Sequence, residues 1–323
     1  AFAIRLARAE RRESQAMVRV GFVDCDTSHV VEFTRRLNHL GIDRDQWVDG
    51  AEVVAAVPGE SLISPDVIPR QVQQLRDYGI AIVDRPSDLV GKIDAVIISS
   101  QDGSVHLKPS LEFIEAGLPT FVDKPFTTSV RDARTIVDAA AKRGVPLLSA
   151  SALRYALEIR DVQNRSAEIG PLRGADTYGP ASLHPRNPGL FHYGIHAVEM
   201  LFTLLGPGCE SVRSIWADGA EISVGRWSDG RLGSVRGTRD SAYAFGFAAF
   251  GVKKVVSAVV DGRYYYRELL RAVVSMFESG KSPLSGVELV EPVAFQQAAL
   301  LSSRRNGEVV EFAELKGPTT VTF

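Results

Sequence analysis

The chain has only two cysteines, Cys25 and Cys209, lying far apart among 323 residues. So few exclude a disulfide framework, and a reduced, cytoplasmic protein is the simpler expectation. No apolar run approaches the roughly 20 residues that span a bilayer, so no membrane partner is expected. Charge of one sign is also missing. A formal net charge of −2 leaves no electrostatic footprint for nucleic acid. Hydrophobic residues at 45% and charged residues at 24% are ordinary for a globular protein. The length suggests two domains. Residues 1–16 are Arg-rich and lack the apolar centre of a secretory signal. They read as an extension before Met17, followed by domains over 17–150 and 151–323.

From Val18 onward, short β-branched runs alternate with helical stretches. Strands are expected at Val18–Val23, Glu52–Val57, Ile80–Val83, Ala95–Ser99, Thr120–Val122 and Leu147–Ala150. Between them, helices are expected over Ser28–Leu40 (closed by Gly41), from Ser64-Pro65 to Gly79, over Val105–Ala116, and from Ser129 to Arg143. Strands joined by helices require crossovers, hence a largely parallel sheet covered on both faces, an α/β domain. Ligands of such sheets sit beyond the carboxyl ends of the strands. That rule singles out Asp24–Ser28, Pro58–Ser61, Ser99–His106, Asp123–Pro125 and Ser151–Tyr155.

Two stretches carry a resemblance. HLKPSLEFIEAGLPTFVDKPFTTSVRDARTIVDAAAKRGVPLL leads through a helix and a short strand into Asp123-Lys124-Pro125. LFHYGIHAVEMLFTLLG places His192 four residues before His196, with Glu199 three further. Together they resemble the glucose–fructose oxidoreductase, inositol dehydrogenase and MocA (Gfo/Idh/MocA) family, whose motifs there are Glu-Lys-Pro and an Asp or His followed by a His. The resemblance runs over roughly residues 18–315. It implies a Rossmann domain followed by a mostly antiparallel open-sheet domain, a nicotinamide cofactor and a sugar-like substrate. It also implies a homodimer or homotetramer.

The turn after the first strand lacks glycine. A dinucleotide fold places G-x-G-x-x-G there, so that backbone can approach a pyrophosphate at a helix N-terminus. This chain reads Asp24-Cys25-Asp26-Thr27-Ser28-His29. One carboxylate about 5 Å from a phosphate, at an effective dielectric of about 20, costs on the order of 3 kcal/mol. Several readings stay open: Asp26 or Thr27 caps the helix, a pyrophosphate still binds through Thr27 and Ser28, or the turn has lost the dinucleotide. A metal on Asp24, Asp26 and His29 is disfavoured, because three residues of a tight turn seldom converge, and no metal is expected. At the second strand end Glu60 is the nearest acid and no Arg or Lys follows before Arg70. NAD is therefore expected rather than NADP, with no cofactor at all as the alternative.

Further candidates follow from the strand ends and the resemblance. The expected cofactor contacts are Asp24, Asp26, Thr27, Ser28, Glu60, Ser100, His106, Asp123 and Lys124. The resemblance implies that Lys124 hydrogen-bonds the reacting oxygen, where a cation stabilises developing alkoxide. It implies that His196 is the general base, a task suited to a group titrating near neutrality. His192 would orient substrate or share the proton. Arg154 and Tyr155 are substrate candidates, and Glu199 is expected to pair with His196 or Lys124. Beyond residue 154, strand runs punctuated by Asp218-Gly219, Asp229-Gly230 and Asp261-Gly262 suggest hairpins in an antiparallel sheet. Helices over Tyr264–Glu278 and Val287–Arg304 would close the structure. The expected activity is oxidation of a secondary alcohol on a sugar, cyclitol or related polyol. The alternatives are a redox-neutral, NAD-using glycoside-cleaving or lyase enzyme, and a non-catalytic ligand-binding relative.

Overall fold

The computed structural model describes residues 17–316; the extension read over 1–16 lies outside them. Six short strands, β1 (Val18–Val23), β2 (Ala51–Val57), β3 (Ala81–Ile82), β4 (Ala95–Ile98), β5 (Thr120–Val122) and β6 (Leu147–Ser149), form a parallel sheet in the order β3-β2-β1-β4-β5-β6. Helices cover both faces, so the strands are apolar almost throughout. Phe22, Ile97, Ile98, Phe121 and Val122 are wholly buried. The register aligns Val23 with Val57 and Ile98, and Ile98 with Val122, so four strands end in one row.

The crossover helices are α1 (His29–Leu37), α2 (Ile68–Asp77), α3 (Leu107–Glu115) and α4 (Val130–Arg143). Helix α1 stops before Gly41. Its Asn38 side chain donates to Val53 O at 2.9 Å and accepts from Val53 N at 2.8 Å, which ties the chain to β2 beside an irregularity in the β1–β2 register. Helix α4 begins as its sequence indicates: Ser129 Oγ accepts from Asp132 N, and Gly144 ends the helix in the left-handed region.

The second half holds seven strands: β7 (Leu172–Pro180), β8 (Cys209–Ala217), β9 (Ala220–Trp227), β10 (Leu232–Thr238), β11 (Gly246–Gly251), β12 (Val255–Val259) and β13 (Val310–Glu311). Their order is β12-β11-β7-β10-β9-β8-β13, antiparallel except where β7 meets β10. The helices are α5 (Leu157–Asn164), α6 (Ser166–Ile169), α7 (Ile195–Leu205), α8 (Tyr265–Ser279) and α9 (Gly286–Arg304). Asp218-Gly219 and Asp229-Gly230 do turn hairpins, but Asp261-Gly262 does not. Asp261 accepts from Arg263 N and its own N–H is held by Glu158, so the chain enters α8 instead of returning as a strand.

Helix α8 crosses back to the first sheet. Its Leu269, Leu270, Val273, Val274 and Met276 share one core with Val20, Phe22, Phe33 and Ile97. At about 1.5–3 kcal/mol for each fully buried aliphatic side chain, this is a major contact. No helix among the described residues is long and apolar enough to cross a membrane.

Candidate functional site

The row of strand ends opens on a cavity of about 270 Å³, near the lower limit of roughly 300 Å³ for small-molecule sites. A larger depression, about 900 Å³, lies between α4 and α9, but none of the strand-end residues lines it.

Lys124 follows β5. The backbone N–H of Asp123 still bonds Ile98 O at 2.8 Å, and Asp123 Oδ1 accepts from Lys124 N at 2.8 Å, which aims the lysine outward from the sheet. Its Nζ lies 6.0 Å from the Tyr193 ring centre, and it has no ion-pair partner among the described residues. His196 sits in the first turn of α7, with Nδ1 2.6 Å from Ser151 Oγ. Burial, then the Lys124 charge, push His196 well below the usual histidine range. Burial, Lys124 and His184 together bring His192 down to about 4. Both imidazoles are therefore neutral at pH 7. Lys124, His196, Tyr193 and Tyr266 line the cavity together with Asp26, Thr27 and Ser28 of the first turn; His192 adjoins Tyr193, their ring centres 6.2 Å apart.

The turn itself departs from a phosphate loop. Asp24 adopts φ 67°, a conformation glycine takes without strain. It packs over Gly59, where a Cβ would lie 1.9 Å from Asp24 Oδ1. Burial, with Asp26 nearby, raises Asp24 to about 7. The Asp26 carboxylate is fully buried. It accepts from Ser61 Oγ at 2.6 Å and from Gln101 N at 3.0 Å, while Gln101 Nε2 bonds the Asp26 carbonyl. Asp26 is thus a clasp joining the loops after β2 and β4, and it does not cap α1. Thr27 Oγ1 accepts from His29 N at 3.3 Å, and Ser28 at the helix start makes no side-chain cap bond. A pyrophosphate seated in the glycine manner needs bare backbone at the position Asp26 fills. The residues present do not fit a dinucleotide in that manner. Among the described residues no group of three His, Cys, Asp or Glu could hold a metal ion.

Several other candidates lie elsewhere. Glu60 is exposed and does not line the cavity. His106 is fully buried, with Nε2 2.8 Å from Ser100 O and Nδ1 3.0 Å from Phe126 O. His106 therefore ties the loop after β4 to the loop after β5, and neither it nor the buried Ser100 lines the cavity. Glu199 pairs with neither His196 nor Lys124. It lies on the buried side of α7 and accepts from Arg154 Nε at 2.6 Å, so Arg154 is also committed to that pair. The Tyr155 hydroxyl is buried without a partner, and burial pushes it up to about 12.

The cavity also gathers Gln101, Tyr193, Tyr243 and Tyr266, which the sequence reading passed over, and His29, which it weighed only as a metal ligand. For His29 a signal existed: it occupies the third glycine place of the turn. For Tyr266 none did, because α8 arrives from more than two hundred residues away, whereas Tyr193 stands beside His192 in the second quoted stretch.

Comparison with known proteins places these observations. Residues 49–151 match a family model described as an oxidoreductase family with an NAD-binding Rossmann fold. That match begins beyond the Asp24–His29 turn. Inositol 2-dehydrogenase 3 of Saccharopolyspora erythraea is 33% identical over 109 residues, 33% of this chain and 30% of that protein. The YceM protein of Salmonella typhimurium is 30% identical over 133 residues, 40% of this chain and 42% of that protein. The chain thus matches less than half the length of these curated relatives. The crystal structure of scyllo-inositol dehydrogenase from Lactobacillus casei, with NAD(H) and scyllo-inositol bound, superposes with a TM-score of 0.75 at 14% identity. It covers 92% of this chain and 99% of that one. At that identity the likeness establishes the two-domain fold.

Proposed function

We propose that this chain, whose residues 49–151 match the Gfo/Idh/MocA oxidoreductase family model, oxidises or reduces a secondary alcohol centre on a sugar, cyclitol or related polyol held in this cleft. The observation that carries the reading is that Lys124 and His196 line one cavity. The Lys124 ammonium polarises the reacting oxygen and stabilises the alkoxide that develops there. His196, neutral through burial and the Lys124 charge, takes the hydroxyl proton. With Nδ1 engaged by Ser151 Oγ at 2.6 Å, the proton exchanged with a ligand passes through Nε2. His192 orients a neighbouring hydroxyl.

NAD is the preferred dinucleotide over NADP, because Pro58-Gly59-Glu60 ends β2 without a nearby cation. It reaches this site only with the Asp26 side chain displaced. The Asp26 clasp favours a second reading, in which the same cleft serves a redox-neutral reaction or binds a ligand without turnover. Self-association through the exposed apolar side of the second sheet, at Leu232, Val255 and Val259, belongs to the same proposal.

The test is to denature the purified protein, assay the supernatant for NAD(H), and titrate the native protein with NAD and NADP up to millimolar concentration. Release or binding of NAD, with turnover on a polyol panel, is the expected result. Bound dinucleotide without net NADH formation favours the redox-neutral reading. Neither release nor binding defeats the oxidoreductase reading.

A further inference from the structure

The cavity holds a second proton-handling group besides His196, built from two places where the chain departs from the family motifs. His29 stands at the third glycine place, and Asp123 stands where those motifs have the longer Glu. The two departures meet, since His29 Nδ1 hydrogen-bonds Asp123 Oδ2. The other carboxylate oxygen accepts from Lys124 N at 2.8 Å. Burial works against the charge of Asp123, yet His29 and Lys124 hold it below the usual carboxylate range. An ionised carboxylate only accepts hydrogen bonds, so His29 Nδ1 carries a proton and Nε2 is the ring nitrogen turned to Tyr266. That nitrogen lies 3.1 Å from the Tyr266 hydroxyl. The ring is fixed from two sides, by Phe33 stacked at 4.9 Å and by Tyr266 edge-on at 5.1 Å. Tyr266 lines the same cavity as Lys124 and His196.

We infer that the Tyr266 hydroxyl is a second proton-transfer group for the ligand in this cavity, with His29 and Asp123 as positioning residues that carry its proton. The inference rests on the reading of the cleft as a polyol site. A ligand hydroxyl gives its proton to Tyr266 Oη while the Tyr266 proton passes to His29 Nε2. The products are a ligand alkoxide beside the Lys124 ammonium, a neutral tyrosine, and an imidazolium facing the Asp123 carboxylate. Reversal returns both protons, so no other reactant is consumed. Two such groups in one cavity suit a ligand presenting two hydroxyls, a vicinal diol or its hydroxyketone, one to His196 and one to Tyr266. A contact that served only to dock α8 on α1 would leave the reactivity of the Tyr266 oxygen independent of the His29 side chain.

The relay can be read without knowing the substrate, by acetylating the full chain with N-acetylimidazole and mapping sites by mass spectrometry over time. In that reaction the Oη–acetyl bond forms, the acetyl–imidazole bond breaks, and the phenolic proton leaves through His29 to the departing imidazole. Burial pushes the Tyr266 phenol above the usual tyrosine range, so its rate in the unaltered chain is the reference for each variant. H29Q and D123N should each slow Tyr266 at least tenfold, with thermal melting of D123N near that of the unaltered protein. A Tyr266 rate unmoved by H29Q overturns the inference. Absence of polyol turnover would count against the oxidoreductase reading and would leave these acetylation rates as they are.

Discussion

Ser151 Oγ lies 2.6 Å from His196 Nδ1, and through this bond the end of the parallel sheet orients the first turn of α7. The hydroxyl also accepts from Leu153 N at 3.1 Å, so its own position is fixed by the turn after β6. Replacing His196 with Asn should lower kcat on any polyol that turns over by about 10²–10⁴. S151A should lower it about tenfold with little change in Tm, because the ring is kept but its tautomer is not. Equal kcat values in all three proteins would remove His196 from the chemistry.

The clasp makes a prediction about affinity and stability together. D26G removes a carboxylate from the phosphate approach and should tighten NAD at least tenfold by calorimetry, toward the hundredfold that about 3 kcal/mol allows. It should also cost about 1–3 kcal/mol of stability in urea melts, because Ser61 and Gln101 lose their acceptor. NAD affinity no greater in D26G than in the unaltered protein would mean that the clasp does not control access.

Asp24 sets a pH dependence of definite sign. Its folded-state value of about 7 lies above the roughly 3.9 of an unfolded chain. Between those two values the unfolded chain has released the proton and the folded protein has not. Its contribution is therefore present below about pH 4, declines as pH rises, and is lost above about 7. Urea melts from pH 4 to 8 should show a shallower decline for D24N than for the unaltered chain. D24N should also be the more stable of the two at pH 8, by roughly 5 °C in Tm. Parallel curves would show that Asp24 titrates normally.

The Arg154–Glu199 pair is buried on both sides. E199A strands the guanidinium and should cost about 3–5 kcal/mol in urea melts, whereas an apolar double replacement, R154M with E199L, should cost much less. Similar losses for both variants would place the cost in packing, not in the uncompensated charge.

Much of the architecture was legible. The alternation of β-branched runs with capped helices placed all six strands of the first sheet, because buried parallel strands must be apolar on both faces. The end of α1 was not legible at Gly41, since Asn38 leaves the helix for a tertiary partner, Val53. Nor was the Asp261-Gly262 turn, whose outcome depends on Glu158 across the fold. At the site, chain topology alone brought Lys124, Asp26, Thr27 and Ser28 to one cavity. The direction of Glu199 was hidden, because spacing along a helix does not say which face is buried against Arg154. His29 and Tyr266 meet across 237 positions, a separation no local pattern encodes.

That long return has a consequence for how the chain is made. The first sheet draws part of its core from Leu269, Leu270 and Val273 of α8, residues a ribosome delivers well over a hundred positions after β6. A fragment ending at residue 150 should therefore emerge with an open apolar face and gather chaperones or aggregate. The amino-terminal half is finished only when the far end of the chain comes back to cover it.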